Sequence, residues 1–63
     1  MVIVAKVEGG WLTVRGDESA TPTEDVHAIS KLVDRMATGE IYRLTLPNGW
    51  DAEFTQDKPE EEA

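Results

Sequence analysis

The stretch that most constrains the fold is residues 21–39, TPTEDVHAISKLVDRMATG, which predicts one amphipathic helix with both ends specified. Thr21 is expected to act as the N-cap, because a threonine hydroxyl can accept a hydrogen bond from an N–H of the first turn. Pro22 suits the first helical position, and Glu24 would close a capping box with Thr21. Gly39 predicts a left-handed residue that ends the helix.

The apolar residues of this stretch recur at helical spacing and would form one stripe along the helix. The stripe contains Val26, Ile29, Val33, Met36 and Ala37, with Leu32 at its margin. The opposite side carries Glu24, His27, Lys31, Asp34 and Arg35. A helix with a single apolar face must cover an apolar face elsewhere in the chain, and we expect the flanking segments to supply it.

Before the helix, residues 2–8 and 11–15 are rich in β-branched residues and are separated by two glycines, a composition typical of a two-residue hairpin turn. With Gly9 and Gly10 as the loop, the predicted cross-strand pairs are Glu8–Trp11, Val7–Leu12, Lys6–Thr13, Ala5–Val14 and Val4–Arg15. One face is then wholly apolar and comprises Ile3, Ala5, Val7, Leu12 and Val14. The other face comprises Val2, Val4, Lys6, Glu8, Trp11, Thr13 and Arg15.

After the helix, residues 41–46 and 50–54 predict a second hairpin around a three-residue loop, Pro47-Asn48-Gly49. Its apolar pairs would be Leu46–Trp50, Leu44–Ala52 and Tyr42–Phe54. Its outer pairs would be Arg43–Glu53 and Thr45–Asp51. A two-residue loop is rejected because it would place carboxylates among apolar side chains.

These elements predict an α+β fold, a two-layer ββαββ arrangement with one helix on one face of a four-stranded, mostly antiparallel sheet. The most apolar strand, residues 2–8, is expected at the centre, which gives the strand order 2-1-3-4 with a right-handed crossover. Residues 1–56 form the predicted domain. Residues 57–63, DKPEEEA, form a charged tail that is expected to be disordered, because it has too little apolar surface to offset its ordering entropy.

Composition narrows the class of protein further. A chain of 63 residues buries only about 60% of its unfolded surface, so the domain is expected to be marginally stable. It has no cysteine, which rules out disulfides and thiolate metal sites and favours a reducing compartment. No run approaches the roughly 20 apolar residues that a membrane helix needs. The sequence therefore predicts a cytoplasmic protein with no membrane partner.

The residues that could carry chemistry predict no enzyme, cofactor or metal. His27 is the single histidine and falls on the polar side of the helix, without the further Cys or His ligands of a zinc site. A Ser30-His27-Asp34 triad would lie on one exposed helix with no cleft or oxyanion donors. Gly9-Gly10 does not open a helix, so it is not a phosphate loop.

Charge and exposed apolar residues predict two partner-binding surfaces instead. The formal charge of −7 argues against direct nucleic-acid binding and favours a larger protein with a basic surface, although it would also serve solubility alone. The acidic surface comprises Asp17, Glu18, Glu24, Asp25 and Asp34. The second surface, on the sheet face away from the helix, comprises Val2, Val4, Trp11 and Ile41. Trp50, in contrast, is expected to pack near the helix end.

In size, acidity and lack of cysteine, the chain resembles the short acidic proteins that phages make to inhibit host defence, such as CRISPR systems, or host transcription machinery. That resemblance implies a stoichiometric inhibitor in the host cytoplasm that occupies a basic, nucleic-acid-handling site, as a DNA mimic does. The alternative is a structural module or a homodimeric accessory subunit that uses the open sheet face.

Overall fold

The computed structural model describes residues 1–59 and confirms the α+β class with one helix on an antiparallel sheet. The strands are β1 (Val2–Val7), β2 (Gly10–Arg15) and β3 (Asp51–Thr55). The helix α1 spans Thr23–Ala37 and is preceded by a short 3₁₀ turn, Glu18–Ala20. Within the described residues the sheet has three strands in the order β1-β2-β3, so the predicted fourth strand and the order 2-1-3-4 are not present.

The helix begins one residue later than its cap signals predict. Pro22 occupies the N-cap position and no side chain caps the first turn, so the predicted capping box of Thr21 and Glu24 is wrong. The Thr21 hydroxyl is used elsewhere: it donates to the Asp17 carbonyl oxygen at 2.8 Å and accepts from the indole N–H of Trp50 at 2.9 Å. A tertiary hydrogen bond has therefore replaced the local cap.

The other end of the helix follows the prediction. Gly39 has a φ of +81°, the left-handed conformation that an L side chain disfavours. The Glu40 N–H bonds to the Arg35 carbonyl at 2.9 Å, and the Gly39 N–H bonds to the Met36 carbonyl at 3.2 Å. These two bonds form a Schellman motif, which satisfies carbonyl groups that the last turn would otherwise leave unpaired.

The first hairpin forms, but its turn is one residue earlier than predicted. Glu8 and Gly9 make the turn, Gly9 has a φ of +84°, and Gly10 pairs with Val7 as the first residue of β2. The observed pairs are Val2–Arg15, Ile3–Val14, Val4–Thr13, Ala5–Leu12, Lys6–Trp11 and Val7–Gly10. The register is thus shifted by two residues, which preserves the side-chain alternation and leaves the predicted core face intact.

The third strand pairs with β2, which corrects the predicted second hairpin. The β2–β3 pairs are Trp11–Thr55, Leu12–Phe54, Thr13–Glu53, Val14–Ala52 and Arg15–Asp51. This register keeps apolar residues opposite apolar residues and sets Asp51 against Arg15, an arrangement of opposite charges that favours strand pairing. The most apolar strand, β1, is consequently an edge strand and β2 is central.

Residues 41–46 cross the molecule without joining the sheet, so the predicted strand there is wrong. Leu44 and Leu46 pack against the core from this connection and remain half-buried. The predicted turn does form, because the Trp50 N–H bonds to the Pro47 carbonyl at 3.2 Å and Gly49 has a φ of +91°. The turn at residues 47–49 therefore forms as predicted, but the strand that follows it, β3, pairs with β2 and not with residues 41–46.

The core lies between α1, β1, β2 and the connection before β3. Its buried members are Val7, Leu12, Val14, Ile29, Val33 and Trp50. Val26 and Met36 of the predicted stripe are half-buried, whereas Ala37 at its edge is exposed. Every residue of β3 except Thr55 is exposed, because the helix lies over β1 rather than over β3.

Candidate interaction surfaces

Four carboxylates gather where the chain enters the helix, and we call this group the acidic end: Asp17, Glu18, Glu24 and Asp25. All four side chains are exposed. The two pairs are joined by the 3₁₀ turn and Pro22, and the Thr21 hydroxyl bonds back to the Asp17 carbonyl. Residues 17–25 contain no basic residue. Their charge is therefore presented to solvent at the positive end of the helix dipole.

Asp17 is the most rigidly held member of the acidic end. One carboxylate oxygen accepts from the Ser19 hydroxyl at 2.6 Å and from the Ser19 backbone N–H at 2.9 Å. Because these bonds favour the charged form, they lower the pKa of Asp17 below its ordinary value of 3.8, the Ser19 hydroxyl contributing most. Asp17 therefore stays ionised throughout the neutral and mildly acidic range.

Asp34 does not belong to this group, although the sequence places it on the acidic surface. It is exposed, but it lies ten residues beyond Glu24, about 15 Å along a helix axis. Its nearest charged neighbours along the helix, Lys31 and Arg35, are basic. The acidic end is therefore more compact than predicted.

The face of the sheet away from α1, which we call the open face, carries the predicted Val2, Val4 and Trp11. Val2 and Val4 are half-buried in β1. Trp11 is also half-buried, with the Lys6 ammonium 5.1 Å and the Lys58 ammonium 5.4 Å from its ring centroid. Both distances are typical of cation–π contacts. The register shift explains the first contact, since it sets Lys6 rather than Glu8 opposite Trp11.

The second cation–π contact comes from the segment predicted to be a disordered tail. The Thr55 hydroxyl donates to the Asp57 carbonyl at 2.9 Å, and the chain then brings Lys58 back over Trp11. Residues 60–63 of the predicted tail lie outside the described residues. The open face is therefore partly covered by the chain that follows β3.

Thr13 occupies the centre of the open face and was not among the residues singled out from the sequence. It is only 1% exposed, and its hydroxyl oxygen has no hydrogen-bond partner within residues 1–59. It lies between Val4 of β1 and Glu53 of β3 in the ladder. The sequence does not indicate this burial. It places Thr13 on a solvated face and pairs residues 50–54 with residues 41–46, whereas in the structure β3 lies beside Thr13.

Ile41 lies away from the open face, which corrects its predicted position. It borders a depression of about 200 Å³ between the end of α1, the first hairpin turn and β3. The depression is lined by Val7, Glu8, Met36, Gly39, Ile41, Tyr42 and Phe54. Tyr42 is 80% exposed and Phe54 is 54% exposed, so the predicted Tyr42–Phe54 pair has become an exposed aromatic rim.

His27 lies on the exposed side of α1, as its position in the helical pattern predicts. It borders a broad surface groove with Thr23, Glu24, Ala28 and Lys31. In the described part of the chain, no three His, Asp or Glu side chains are grouped as metal ligands. Between residues 1 and 59 there is also no helix with the length and apolar character needed to span a membrane.

Comparison of the chain with protein-family models, curated proteins and solved structures finds no match.

Proposed function

We propose that this protein is a non-enzymatic binding protein that occupies a basic site on a larger protein and acts as its stoichiometric inhibitor or regulator. The observation that carries the proposal is the acidic end. Four exposed carboxylates are concentrated within residues 17–25, a stretch that contains no basic residue. Arginine and lysine clusters that hold nucleic-acid phosphates are the complementary surface.

Local structure supports this use of the acidic end. Ser19 fixes the Asp17 carboxylate, and the first turn of α1 fixes the backbone that carries Glu24 and Asp25. A backbone and an Asp17 carboxylate that are already fixed lose less conformational entropy on binding, which favours a tight complex over a diffuse attraction. Such a protein would compete with nucleic acid for the same basic groove, as a DNA mimic does. An inhibitor encoded by a phage would meet that groove in the host cytoplasm.

The open face supports a second candidate function, an accessory structural subunit. Trp11 lies there with the Lys6 and Lys58 ammonium groups over its ring, next to half-buried apolar residues of β1. Tryptophan is enriched among the residues that dominate binding energy in protein interfaces. In this candidate, Trp11→Ala abolishes assembly, whereas neutralising the acidic end has no effect.

The test uses an arginine-rich peptide as the probe and measures its association and dissociation rates at several salt concentrations. In one variant, Asp17→Asn, Glu18→Gln, Glu24→Gln and Asp25→Asn neutralise the acidic end together. Asparagine caps as well as aspartate, so the turn at residue 17 is retained. We expect the association rate to fall by about tenfold, because steering acts mainly on that rate and weakens as salt screens it.

The matched control neutralises the same number of exposed carboxylates elsewhere, with Glu8→Gln, Asp34→Asn, Glu53→Gln and Asp57→Asn. Both variants have the same net charge, so only the position of the lost charge differs. Equal effects of the two variants would show that total charge, and not the acidic end, drives binding. Binding that does not respond to salt would exclude the charge-based function.

A further inference from the structure

The edge strand β1 has the composition of an interior strand. Its sequence is VIVAKV, and Lys6 is its only charged residue. Four of its six residues, Val2 to Ala5, are half-buried, which leaves apolar surface partly exposed on both faces of the sheet. Natural edge strands are usually protected by charges, proline or a bulge, and here the single lysine near one end is the only such device.

The hydrogen-bond alternation shows which backbone groups of β1 point outward. Met1 and Gly16 exchange two bonds, of 2.8 Å and 3.1 Å, so they form a hydrogen-bonded pair of the ladder. Such pairs recur at every second residue, which directs the N–H and C=O groups of Ile3, Ala5 and Val7 toward β2. The corresponding groups of Val2, Val4 and Lys6 therefore face away from the sheet, and none of them bonds within residues 1–59.

We infer that β1 is the dimer interface of this protein and that its occupant is the β1 strand of a second copy. Two antiparallel β1 strands related by a two-fold axis at Val4 pair Val2 with Lys6 of the other copy, and Val4 with itself. All the outward groups of both strands are then hydrogen-bonded. Opposite residues also lie on the same face of the sheet, so apolar side chains of the core face meet each other.

Charge distinguishes this edge from β3. In the Val4-centred register the two Lys6 residues lie four residues apart along the strands, about 14 Å, which exceeds the Debye length of about 8 Å at physiological salt. The same operation at the middle of β3 would set Glu53 opposite its own copy, and like charges directly opposite destabilise a pair.

The distribution of acid along the chain agrees with this choice of edge. Glu8 is the only acidic residue before Asp17, so residues 1–16 carry no excess negative charge. The dimer therefore joins the least acidic parts of two acidic molecules. It yields a continuous six-stranded sheet with both helices on one face, and β1 becomes interior, as its composition requires.

The first test is concentration-dependent hydrogen exchange on the unmodified protein. Dimerisation should slow exchange of the Val2, Val4 and Lys6 amides as concentration rises. The Ala52 and Phe54 amides, on the outer edge of β3, should remain fast. Sedimentation over the same range should show the mass rising from 7.0 kDa toward twice that value. A constant monomer mass, or a dimer without protection of the β1 amides, would overturn the inference.

Protection of the Val2, Val4 and Lys6 amides that is independent of concentration would also overturn the inference, since a segment of the same chain would then cover β1.

A variant gives a separate test. Val4→Lys places two ammonium groups opposite each other at the axis and should raise the dimer dissociation constant about tenfold or more. Val4→Thr keeps the β-branched shape without charge and should dimerise nearly as the parent does; circular dichroism confirms that both variants fold.

Salt separates this inference from the proposed function. Screening reduces repulsion between two negatively charged copies, so added salt should strengthen the dimer while it weakens binding to a basic partner. A dimer that dissociates in high salt would contradict the pairing of β1 strands and leave the acidic end untouched.

Discussion

Trp50 shows how a single side chain joins three segments of this small protein. It is 6% exposed, and its indole N–H donates to the Thr21 hydroxyl at 2.9 Å. Its ring lies against Gly16, where an added Cβ would overlap the indole. Trp50 therefore ties the start of β3 to the residues on either side of the 3₁₀ turn.

Replacing Trp50 by alanine should cost about 3 to 5 kcal/mol, because a buried aromatic ring leaves a cavity that its surroundings only partly fill. Stabilities of small domains are about 5 to 15 kcal/mol, so the variant should be largely unfolded at modest denaturant concentrations. Urea unfolding followed by circular dichroism measures the change.

Trp11→Ala is the matched comparison, since it removes the same side chain from a half-buried position on the open face. We expect a loss about half as large or less, consistent with partial burial and two cation–π contacts. A larger loss for Trp11→Ala than for Trp50→Ala would contradict the assignment of the two tryptophans to a covered and an open face.

The faces of the two tryptophans could be predicted from period-two alternation, but the use of Thr21 could not. A threonine followed by proline and glutamate satisfies the local rules of a helix cap. The same hydroxyl can instead bond to a distant indole, and only the position of Trp50 in the folded chain decides between the two uses. A cap motif read from neighbouring residues therefore cannot show whether a distant side chain will take the same hydroxyl as its hydrogen-bond partner.

At the scale of elements, the two glycines of the first turn have different physical roles. Gly9 supplies the positive φ of the turn, and an added Cβ there would make only an ordinary contact, 4.0 Å from the Phe54 ring. Gly10 is within β2, where an added Cβ would meet the Thr55 carbonyl and come within 2.7 Å of the Phe54 ring. Gly10 is therefore required for the close approach of β3, and this explains why the turn lies one residue earlier than predicted.

Gly10→Ala should push β3 away from β2 and destabilise the protein by about 1 to 3 kcal/mol, the usual cost of overpacking. Faster hydrogen exchange of the β3 amides that bond to β2 would report the displacement directly. Gly9→Asn should cost less, because asparagine tolerates positive φ and adds no clash here. If Gly9→Asn is the more damaging change, the turn and not strand packing limits this hairpin.

Alternation also explains why the positions of three of the four predicted strands agree with the structure whereas their pairing does not. A shift of two residues in the first hairpin leaves every side chain on its face, so the pattern cannot distinguish the two registers. Residues 51–55 place Ala52 and Phe54 on the core face whether they pair with residues 41–46 or with β2. The pairing of β3 with β2 is favoured by the close approach of β3 to Gly10 and by the opposite charges of Arg15 and Asp51. The alternation of apolar and polar residues contains neither of these features.

For the whole molecule, the sequence was sufficient to predict one helix, its buried stripe and a two-layer α+β arrangement. The acidic end was also predictable, because four of its members surround a readable helix start. The composition of the open face was predicted less well. Ile41 was placed there through a strand that does not form, and Lys58 was excluded because a charged, proline-containing segment looks like a tail.

Lys58 therefore tests where the folded domain ends. If its ammonium packs on Trp11, Lys58→Gln should lower stability by about 0.5 to 1 kcal/mol, the value of a cation–π contact at an exposed site, and should change the fluorescence of Trp11. Lys58→Arg retains a cation over the ring and should preserve both properties.

A chain shortened to residues 1–56 should still fold, since the buried core lies within those residues, but should show the same change at Trp11 as Lys58→Gln. Thermal unfolding and fluorescence of the three variants measure these effects. Identical melting and emission for Lys58→Gln and the parent would place the domain boundary at residue 56. Because Lys6 remains over the ring in every variant, the difference isolates the contact made by the chain that follows β3.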